Sequence, residues 1–120
     1  DTHQGEITLR IGERNRQLDE LLENLGETSC AFITAWNPGA VKVSDGDNDA
    51  RQNALIAEVQ ARGLPFLNGR GVGRDSSWPA EDSILIVGAS RLEAMELGKR
   101  FGQIAIVYAE HGESVELVLC

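Results

Sequence analysis

Hydrophobic positions follow two different spacings along the chain. Four leucines, at positions 18, 21, 22 and 25, have the i, i+3, i+4, i+7 spacing of one apolar helical stripe, and Gly26 follows as a stop. The segments CAFITAW (30–36) and SILIVGA (83–89) are instead almost continuously apolar. Such runs are typical of strands covered on both faces. The pattern therefore predicts helices and strands that alternate along the chain.

Two further helices are predicted from their end signals. One is expected to start near Asp47 or Asn48 and to end at Gly63. The other starts at Ser90, which forms a capping box with Glu93, so that each side chain satisfies an amide at the helix start. Their predicted inward faces carry Leu55, Ile56 and Val59 in one helix, and Ala94, Leu97, Gly98 and Phe101 in the other.

The remaining apolar segments predict four more strands, ITLRI (7–11), PFLNG (65–69), IAIVYA (104–109) and SVELVL (114–119). The predicted order is β-α-β-α-β-β-α-β-β. This order favours an α+β fold, a mainly antiparallel sheet with helices packed on it. Its centre is a ferredoxin-like β-α-β-β-α-β arrangement, with an added N-terminal β-α and a C-terminal strand.

Length and charge limit the classes of protein. A chain of 120 residues is long enough for one core, so residues 1–120 are predicted to form a single domain. Because no apolar run approaches the roughly 20 residues that span a bilayer, we expect no membrane partner. The formal net charge of −8 argues against direct nucleic-acid binding, which depends on Lys and Arg.

The two cysteines do not form a disulfide framework. Cys30 lies within an apolar run and is expected to be a buried, reduced thiol, whereas Cys120 is the last residue. A cytoplasmic location is the expectation that follows.

The stretch NGRGVGRDSSWPAEDS (68–83) resembles a phosphate loop only in its glycines. A phosphate loop needs a helix after the glycines, because the helix N-terminus binds the anion, and a strand follows here instead. The stretch is therefore predicted to be a long connection between strands. A plain connection is the favoured interpretation of this stretch. Contact with a ligand, through Arg70, Arg74 and Trp78, is the less favoured one.

No metal site is expected in the acidic segment at residues 44–49. Asp45, Asp47 and Asp49 match the first three ligand positions of an EF-hand loop, but Ala50 and Ile56 replace its required Gly and Glu. Capping of a helix N-terminus is the favoured interpretation.

Catalytic motifs are also missing, and we expect no catalytic residue and no cofactor. The two histidines, His3 and His111, have no motif that would orient them. Glu81 and Asp82 are adjacent in an extended segment, so their side chains are expected to point to opposite faces.

Polar residues at the ends of predicted elements are the best candidates for a site. Asn37 and Gln103 lie at strand ends, where binding of local backbone groups is favoured over contact with a ligand. Trp36, in contrast, is expected to be packed in the core or at an edge. If the sheet brings these ends together, they form one candidate ligand-binding rim: Asn37, Asn48, Arg70, Arg74, Trp78, Glu81 and Gln103.

The chain also resembles a bacterial family catalogued as domain of unknown function 3293. The resembling pieces are AFITAWNP (31–38), Asn48, WPAEDS (78–83) and FGQIAIVY (101–108). In the family pattern Asn follows the Gln, whereas this chain has Ile104 there. The resemblance implies a compact bacterial domain and assigns no activity.

Three functions are consistent with these features. The favoured one is a non-catalytic binding or regulatory module, with a small anionic ligand or a protein partner at the 68–83 loop. The second is a hydrolase or transferase that acts on an anionic substrate through Asp75, Glu81 or Asp82. The third is an acidic protein that occupies a nucleic-acid-binding partner.

Overall fold

The computed structural model describes residues 7–71 and 80–120, and every structural statement below concerns these residues. Within them the chain forms three α-helices, five strands and a short 3-10 turn at Pro38–Ala40. The elements in chain order are α1 (Arg16–Leu25), β1 (Ser29–Ile33), α2 (Asp45–Ala61), β2 (Phe66–Gly71), β3 (Glu81–Val87), α3 (Arg91–Arg100), β4 (Ala105–Glu110) and β5 (Glu116–Leu119).

The five strands form one sheet in the order β2-β3-β1-β4-β5, and all neighbouring strands are antiparallel. The predicted α+β class with a mainly antiparallel sheet is therefore confirmed. The finer assignment to a ferredoxin-like centre stays a prediction. Strand β1 lies in the middle of the sheet, so the segment that follows Ile33 starts from a strand that is paired on both sides.

Both faces of the sheet are covered, as the continuous apolar runs predict. Helices α2 and α3 bury Leu55, Val59 and Leu97 in a cluster with sheet residues such as Ile33. Helix α1 covers part of the other face through the buried leucines of its predicted stripe. It begins at the cap Asn15, whose Oδ1 accepts a bond from the Leu18 amide at 2.9 Å, and ends at the predicted stop.

The strand predicted at residues 7–11 is wrong. Residues 7–10 have no regular structure. The nearest strand-like pairing in this part of the chain is an isolated antiparallel bridge between Arg14 and Ser114. Ile7 and Leu9 are apolar because they pack against the cluster under α1. Their alternation therefore reflects burial on a helix layer and not a place in the sheet.

Helix α2 starts two or three residues before the predicted position, at Asp45. The cap is Ser44, whose Oγ accepts a bond from the Asp47 amide at 3.1 Å. Asp45 and Asp47 occupy the first turn, where negative charge suits the helix dipole. A helix N-terminus in the acidic segment is confirmed, at an earlier residue than predicted, and the absence of calcium binding stays a prediction.

The predicted connection over residues 68–83 is shorter than expected at both ends. Strand β2 continues to Gly71 and pairs with β3 from Glu81 onward. Gly69 is a strand residue packed under the ring of Phe32, and a Cβ at this position would lie 2.8 Å from that ring. This glycine therefore allows close packing within the sheet instead of loosening a loop.

Both cysteines are free thiols, with Cys30 buried as predicted and Cys120 exposed. No helix in the described parts of the chain is long and apolar enough to cross a membrane. The cytoplasmic location stays a prediction.

Candidate functional site

The candidate site begins where the chain leaves β1. Asn37 has φ 46° and ψ 64°, in the left-handed region, and is the one non-glycine residue with positive φ among the described residues. Asn tolerates this conformation better than other side chains because its short amide can bind nearby backbone. It turns the chain away from the sheet and into the turn at Pro38–Ala40.

Asn37 and Asn48 bind each other through two hydrogen bonds. The backbone N–H of Asn37 donates to Oδ1 of Asn48 at 2.8 Å, and Nδ2 of Asn48 donates to Oδ1 of Asn37 at 3.0 Å. Both residues are buried, Asn37 at 8% exposure and Asn48 at 2%. The first turn of α2 is therefore fixed to the end of the β1 segment.

Asn37 also binds two other segments. Its Oδ1 accepts a second bond, from the Val43 amide at 3.0 Å, and its Nδ2 donates to Oε2 of Glu81 at 2.9 Å. One side chain thus connects the segment before α2 with the start of β3. An amide with both an acceptor and a donor can make all these bonds at once, which a carboxylate, an acceptor only, cannot.

Three further polar side chains hold the backbone at residues 35–36. Oε1 of the buried Gln52 accepts a bond from the Ala35 amide at 3.0 Å. Nε of Arg51 donates to the Ala35 carbonyl at 2.8 Å, and its Nη2 donates to the Phe101 carbonyl at 2.5 Å. Nε2 of Gln103 donates to the Trp36 carbonyl at 3.0 Å. The segment that carries Trp36 and Asn37 is consequently held from two sides.

A small pocket of about 90 Å³ opens beside this segment. Its lining consists of Trp36, Asn37, Lys42, Val43, Asp45 and Asn48. Nε1 of Trp36 is buried and has no hydrogen-bond partner among the described residues. Since buried polar groups are nearly always paired, this indole N–H is an unsatisfied donor on a residue that lines the pocket.

The pocket lining combines buried amides with exposed charges. The two asparagines form its buried part, whereas Lys42 and Asp45 are exposed. The lining therefore offers donors and acceptors together with one positive and one negative side chain.

The structure brings together some of the residues predicted to form the rim. Asn37, Asn48 and Glu81 are connected directly by hydrogen bonds, and Gln103 binds the carbonyl next to Asn37. Asn37 and Gln103 do satisfy backbone groups, which is the interpretation favoured from the sequence. Whether any of the four contacts a ligand stays a prediction.

Arg70 is not part of this group. It is exposed on the edge strand β2, where it lies opposite Asp82, and it does not line the pocket. Arg74 and Trp78 lie outside the described residues, as does Asp75.

Glu81 and Asp82, the two described carboxylates of the enzyme hypothesis, have different surroundings. Glu81 binds Asn37, whereas Asp82 is exposed and its carbonyl accepts a bond from Oγ1 of Thr34 at 2.6 Å. Within the described residues, no group of three or more His, Cys, Asp or Glu side chains is arranged to hold a metal ion.

The sequence does not predict five residues that line or support the pocket: Trp36, Lys42, Asp45, Arg51 and Gln52. One sequence signal was available for α2. Asn48 and Gln52 share helical spacing with the apolar Leu55 and Val59, and all four are buried. Polar residues on the inward side of a helix need partners, so this spacing indicates a polar network. The Trp36 pocket had no such signal, because a tryptophan at the end of an apolar run is typical of core packing.

The fold and the site together define a small α+β protein with a polar pocket at the end of its central strand. The profile of the family described as "Protein of unknown function (DUF3293)" matches residues 33–106, and the chain belongs to this family. The matched segment includes every residue of the pocket lining. No curated protein matches the chain.

Two solved structures are similar to the chain. A phage SAM lyase in its apo state has a TM-score of 0.46 and 18% identity, covering 78% of this chain and 88% of the lyase chain. A phage SAM lyase in complex with S-methyl-5'-thioadenosine has a TM-score of 0.40 and 18% identity, covering 96% of this chain and 97% of the other. Similarity at this level carries no inference about activity or ligand.

Proposed function

We propose that the protein is a small-molecule-binding module whose ligand occupies the pocket beside Trp36. The observation that carries this proposal is the buried Nε1 of Trp36, which has no partner among the described residues. A buried donor without an acceptor costs about 1–3 kcal/mol in folding free energy. A ligand acceptor that reaches the indole N–H offsets this cost and gains affinity from it.

The hydrogen bonds around the pocket also support binding. Arg51 and Gln103 bind the carbonyls on either side of the Trp36 amide, at Ala35 and Trp36. Asn48 holds the next residue along the chain. Since these bonds fix the lining before a ligand arrives, little conformational entropy is lost on binding.

The proposed site differs in position from the one predicted from sequence. It lies at the connection between β1 and α2, and among the described residues the bond between Asn37 and Glu81 connects it with the 68–83 stretch. The binding function is retained from the sequence analysis, whereas Arg70 is not included in the site.

The experiment is a thermal-shift screen of small polar metabolites against the wild-type protein and Trp36→Phe. A ligand that binds only the folded state raises its stability in proportion to ln(1 + [L]/Kd). Phe keeps an aromatic ring at the position and removes the N–H. We expect compounds that stabilise the wild type to bind Trp36→Phe about tenfold more weakly.

The matched control is Tyr108→Phe, which removes one aromatic hydrogen-bonding group elsewhere. The Tyr108 hydroxyl donates to Glu110 at 3.0 Å, and Tyr108 does not line the pocket. This variant should bind the same compounds with unchanged affinity. Equal binding by Trp36→Phe and the wild type would show that the indole N–H is not a ligand donor.

A further inference from the structure

We infer that strand β5 is a self-association surface, on which β5 of a second copy of this chain pairs in antiparallel orientation. Strand β5 is the last in the sheet order, so among the described residues no further strand pairs with its outer side. Edge strands with open backbone groups and apolar side chains are sites where another strand adds. The inference goes beyond the proposed function, since β5 is not among the described segments that line the pocket.

Hydrogen bonds at both ends of β5 show which way its backbone groups point. At the C-terminal end, the backbone N–H of Cys120 donates to the Ile104 carbonyl at 2.9 Å, on the side of β4. At the N-terminal end, Val115 points the other way. Its N–H donates to the Glu13 carbonyl at 2.9 Å, and its carbonyl accepts from the Gly12 N–H at 2.7 Å. Residues 12–13 therefore cover the edge as far as Val115.

The outward backbone groups farther along this edge belong to Leu117 and Leu119. The direction of these groups alternates along an antiparallel strand, and Val115 points outward, so every second residue after it does too. Among the described residues, neither leucine has a backbone hydrogen bond beyond the pairing with β4. Each leucine therefore presents one donor and one acceptor at the edge of the sheet.

The side chains of the two leucines are exposed, Leu117 at 56% and Leu119 at 68%. Both lie on the face of the sheet opposite to Val118, which is buried in the cluster with α2 and α3. Leu117 is paired with Val107, which packs against the cluster under α1. The leucines thus extend this apolar face to the edge of the sheet, where they are left exposed.

One antiparallel register matches all of these groups in two copies. With Val118 opposite Val118 of the second copy, Leu117 lies opposite Leu119 of that copy, and Leu119 lies opposite its Leu117. Each outward N–H then meets an outward carbonyl, because both leucines occupy hydrogen-bonded positions. The same register places leucine against leucine on one face, where cross-strand side chains pack. The surface is therefore complementary to itself, which favours a second copy over an unrelated strand.

This register also keeps like charges apart at the contact. Glu116 lies opposite Cys120 of the second copy, and within its own chain it forms an ion pair with Arg91. At longer range the two copies repel each other, since each carries a formal net charge of −8. Added salt screens this repulsion, so association should strengthen as ionic strength rises.

The other edge of the sheet is less suited to self-pairing. Strand β2 has one exposed leucine, Leu67, followed by the exposed Asn68 and by Arg70 between two glycines. A charged side chain on an edge strand disfavours the addition of another strand. Glycine offers no side chain for packing. Of the two edges, β5 is therefore the one that a second copy fits.

The first test is a concentration series of the wild-type protein in the analytical ultracentrifuge. A reducing agent keeps the exposed Cys120 from linking two copies covalently. We expect a monomer–dimer equilibrium that strengthens with salt. A protein that stays monomeric up to millimolar concentration would overturn the inference. Growth beyond a dimer would also overturn it, because a two-fold symmetric pair is closed.

Two variants and their mixture test the register. Leu117→Lys and Leu119→Glu should each weaken self-association at least about tenfold, because each places a charge against a leucine of the second copy. When the two variants are mixed, the introduced lysine lies opposite the introduced glutamate, and the two remaining leucines lie opposite each other. We expect this heterodimer to be at least about tenfold tighter than the homodimer of either variant.

A second mixture carries the same charges in the wrong positions. When Leu117→Lys is mixed with Leu117→Glu, each introduced charge lies opposite a leucine, so association should not be restored. Equal association of the two mixtures would contradict the register.

The matched controls carry a lysine at other exposed leucines. Leu67→Lys on β2 and Leu92→Lys on α3 should leave the dissociation constant of the dimer unchanged at the same ionic strength. Circular dichroism confirms that each variant is folded. Dimers that persist in Leu117→Lys and are lost in Leu67→Lys would assign the contact to the other edge and overturn the inference.

Discussion

The backbone amide of Asn37 and the side chain of Asn48 are connected by a 2.8 Å hydrogen bond, and the two side chains are connected by another of 3.0 Å. They are eleven positions apart in the chain. This pair closes the connection between the central strand and α2, and the pocket lies beside it. A substitution that breaks this pair should therefore both destabilise the protein and change the shape of the pocket.

Asn48→Ala should destabilise the protein by about 2–3 kcal/mol, because it leaves the Asn37 amide without its acceptor in a buried site. The free energy of unfolding is measured by urea denaturation. The matched control is Asn53→Ala on the same helix, where the side chain is exposed. Equal losses in the two variants would contradict the assigned role of Asn48.

Substitution of Asn37 should show a preference for glycine. Asn37→Gly and Asn37→Ala both lose the side-chain bonds, but only Gly adopts φ 46° without strain. We expect Asn37→Gly to be the more stable of the two by about 1 kcal/mol. At exposed Asn53 in α2 the order should reverse, because Gly in a helix is about 1 kcal/mol less favourable than Ala. The same order at both positions would contradict the left-handed conformation.

The helices were predictable because their signals are local. The leucine stripe and Gly26 specify α1 within one short segment, and Ser90 with Glu93 specify the start of α3. The segment at residues 7–11 failed because alternation shows only which side of a segment is buried. It does not show whether the segment pairs with a strand or packs, as Ile7 does, against the cluster under a helix.

The site could be predicted only in part for a similar reason. Polar residues at element ends, such as Asn37 and Asn48, are recognisable in a sequence because they interrupt apolar patterns. The positions of Lys42 and Asp45 around a pocket depend on the left-handed turn at Asn37, and no sequence pattern specifies that turn. The position of Trp36 in the pocket lining depends on the same turn.

Asp19 should make stability depend on pH in the acid range. Burial acts to raise the pKa of this carboxyl, but the Gly112 amide and Arg14 bind it at 3.0 and 3.1 Å, and its net pKa lies below the ordinary value. A lowered pKa in the folded state stabilises the protein above the unfolded pKa of about 3.9, and this contribution is lost as pH falls through the folded value.

Urea unfolding at pH 7 and pH 3 measures this effect. The wild type should lose more stability between the two pH values than Asp19→Asn, which has no charge to neutralise. Glu20→Gln, exposed on the same helix, is the control and should behave as the wild type does. An identical pH dependence in Asp19→Asn and the wild type would show that the bound carboxylate is not the cause.

The two cysteines should differ in reactivity. Burial raises the pKa of Cys30 to about 12, so its thiolate is scarce at neutral pH and the sulfur is also inaccessible. Cys120 is exposed, although partial burial raises its pKa as well. With a thiol reagent in excess, we expect one equivalent to react quickly and the second only on unfolding. Cys120→Ser should abolish the fast phase, whereas fast labelling of that variant would contradict the buried position of Cys30.

The most direct test of the central claim is the indole N–H signal of Trp36 in a ¹⁵N-labelled sample, assigned by its loss in Trp36→Phe. The signal is followed during titration with the compound that stabilises the protein most in the thermal-shift screen. The proposed site predicts that this signal and the side-chain amide of Asn48 shift more than any other signals and saturate together. Ligand-induced shifts that are confined to α1, with the Trp36 indole unchanged at saturation, would contradict it.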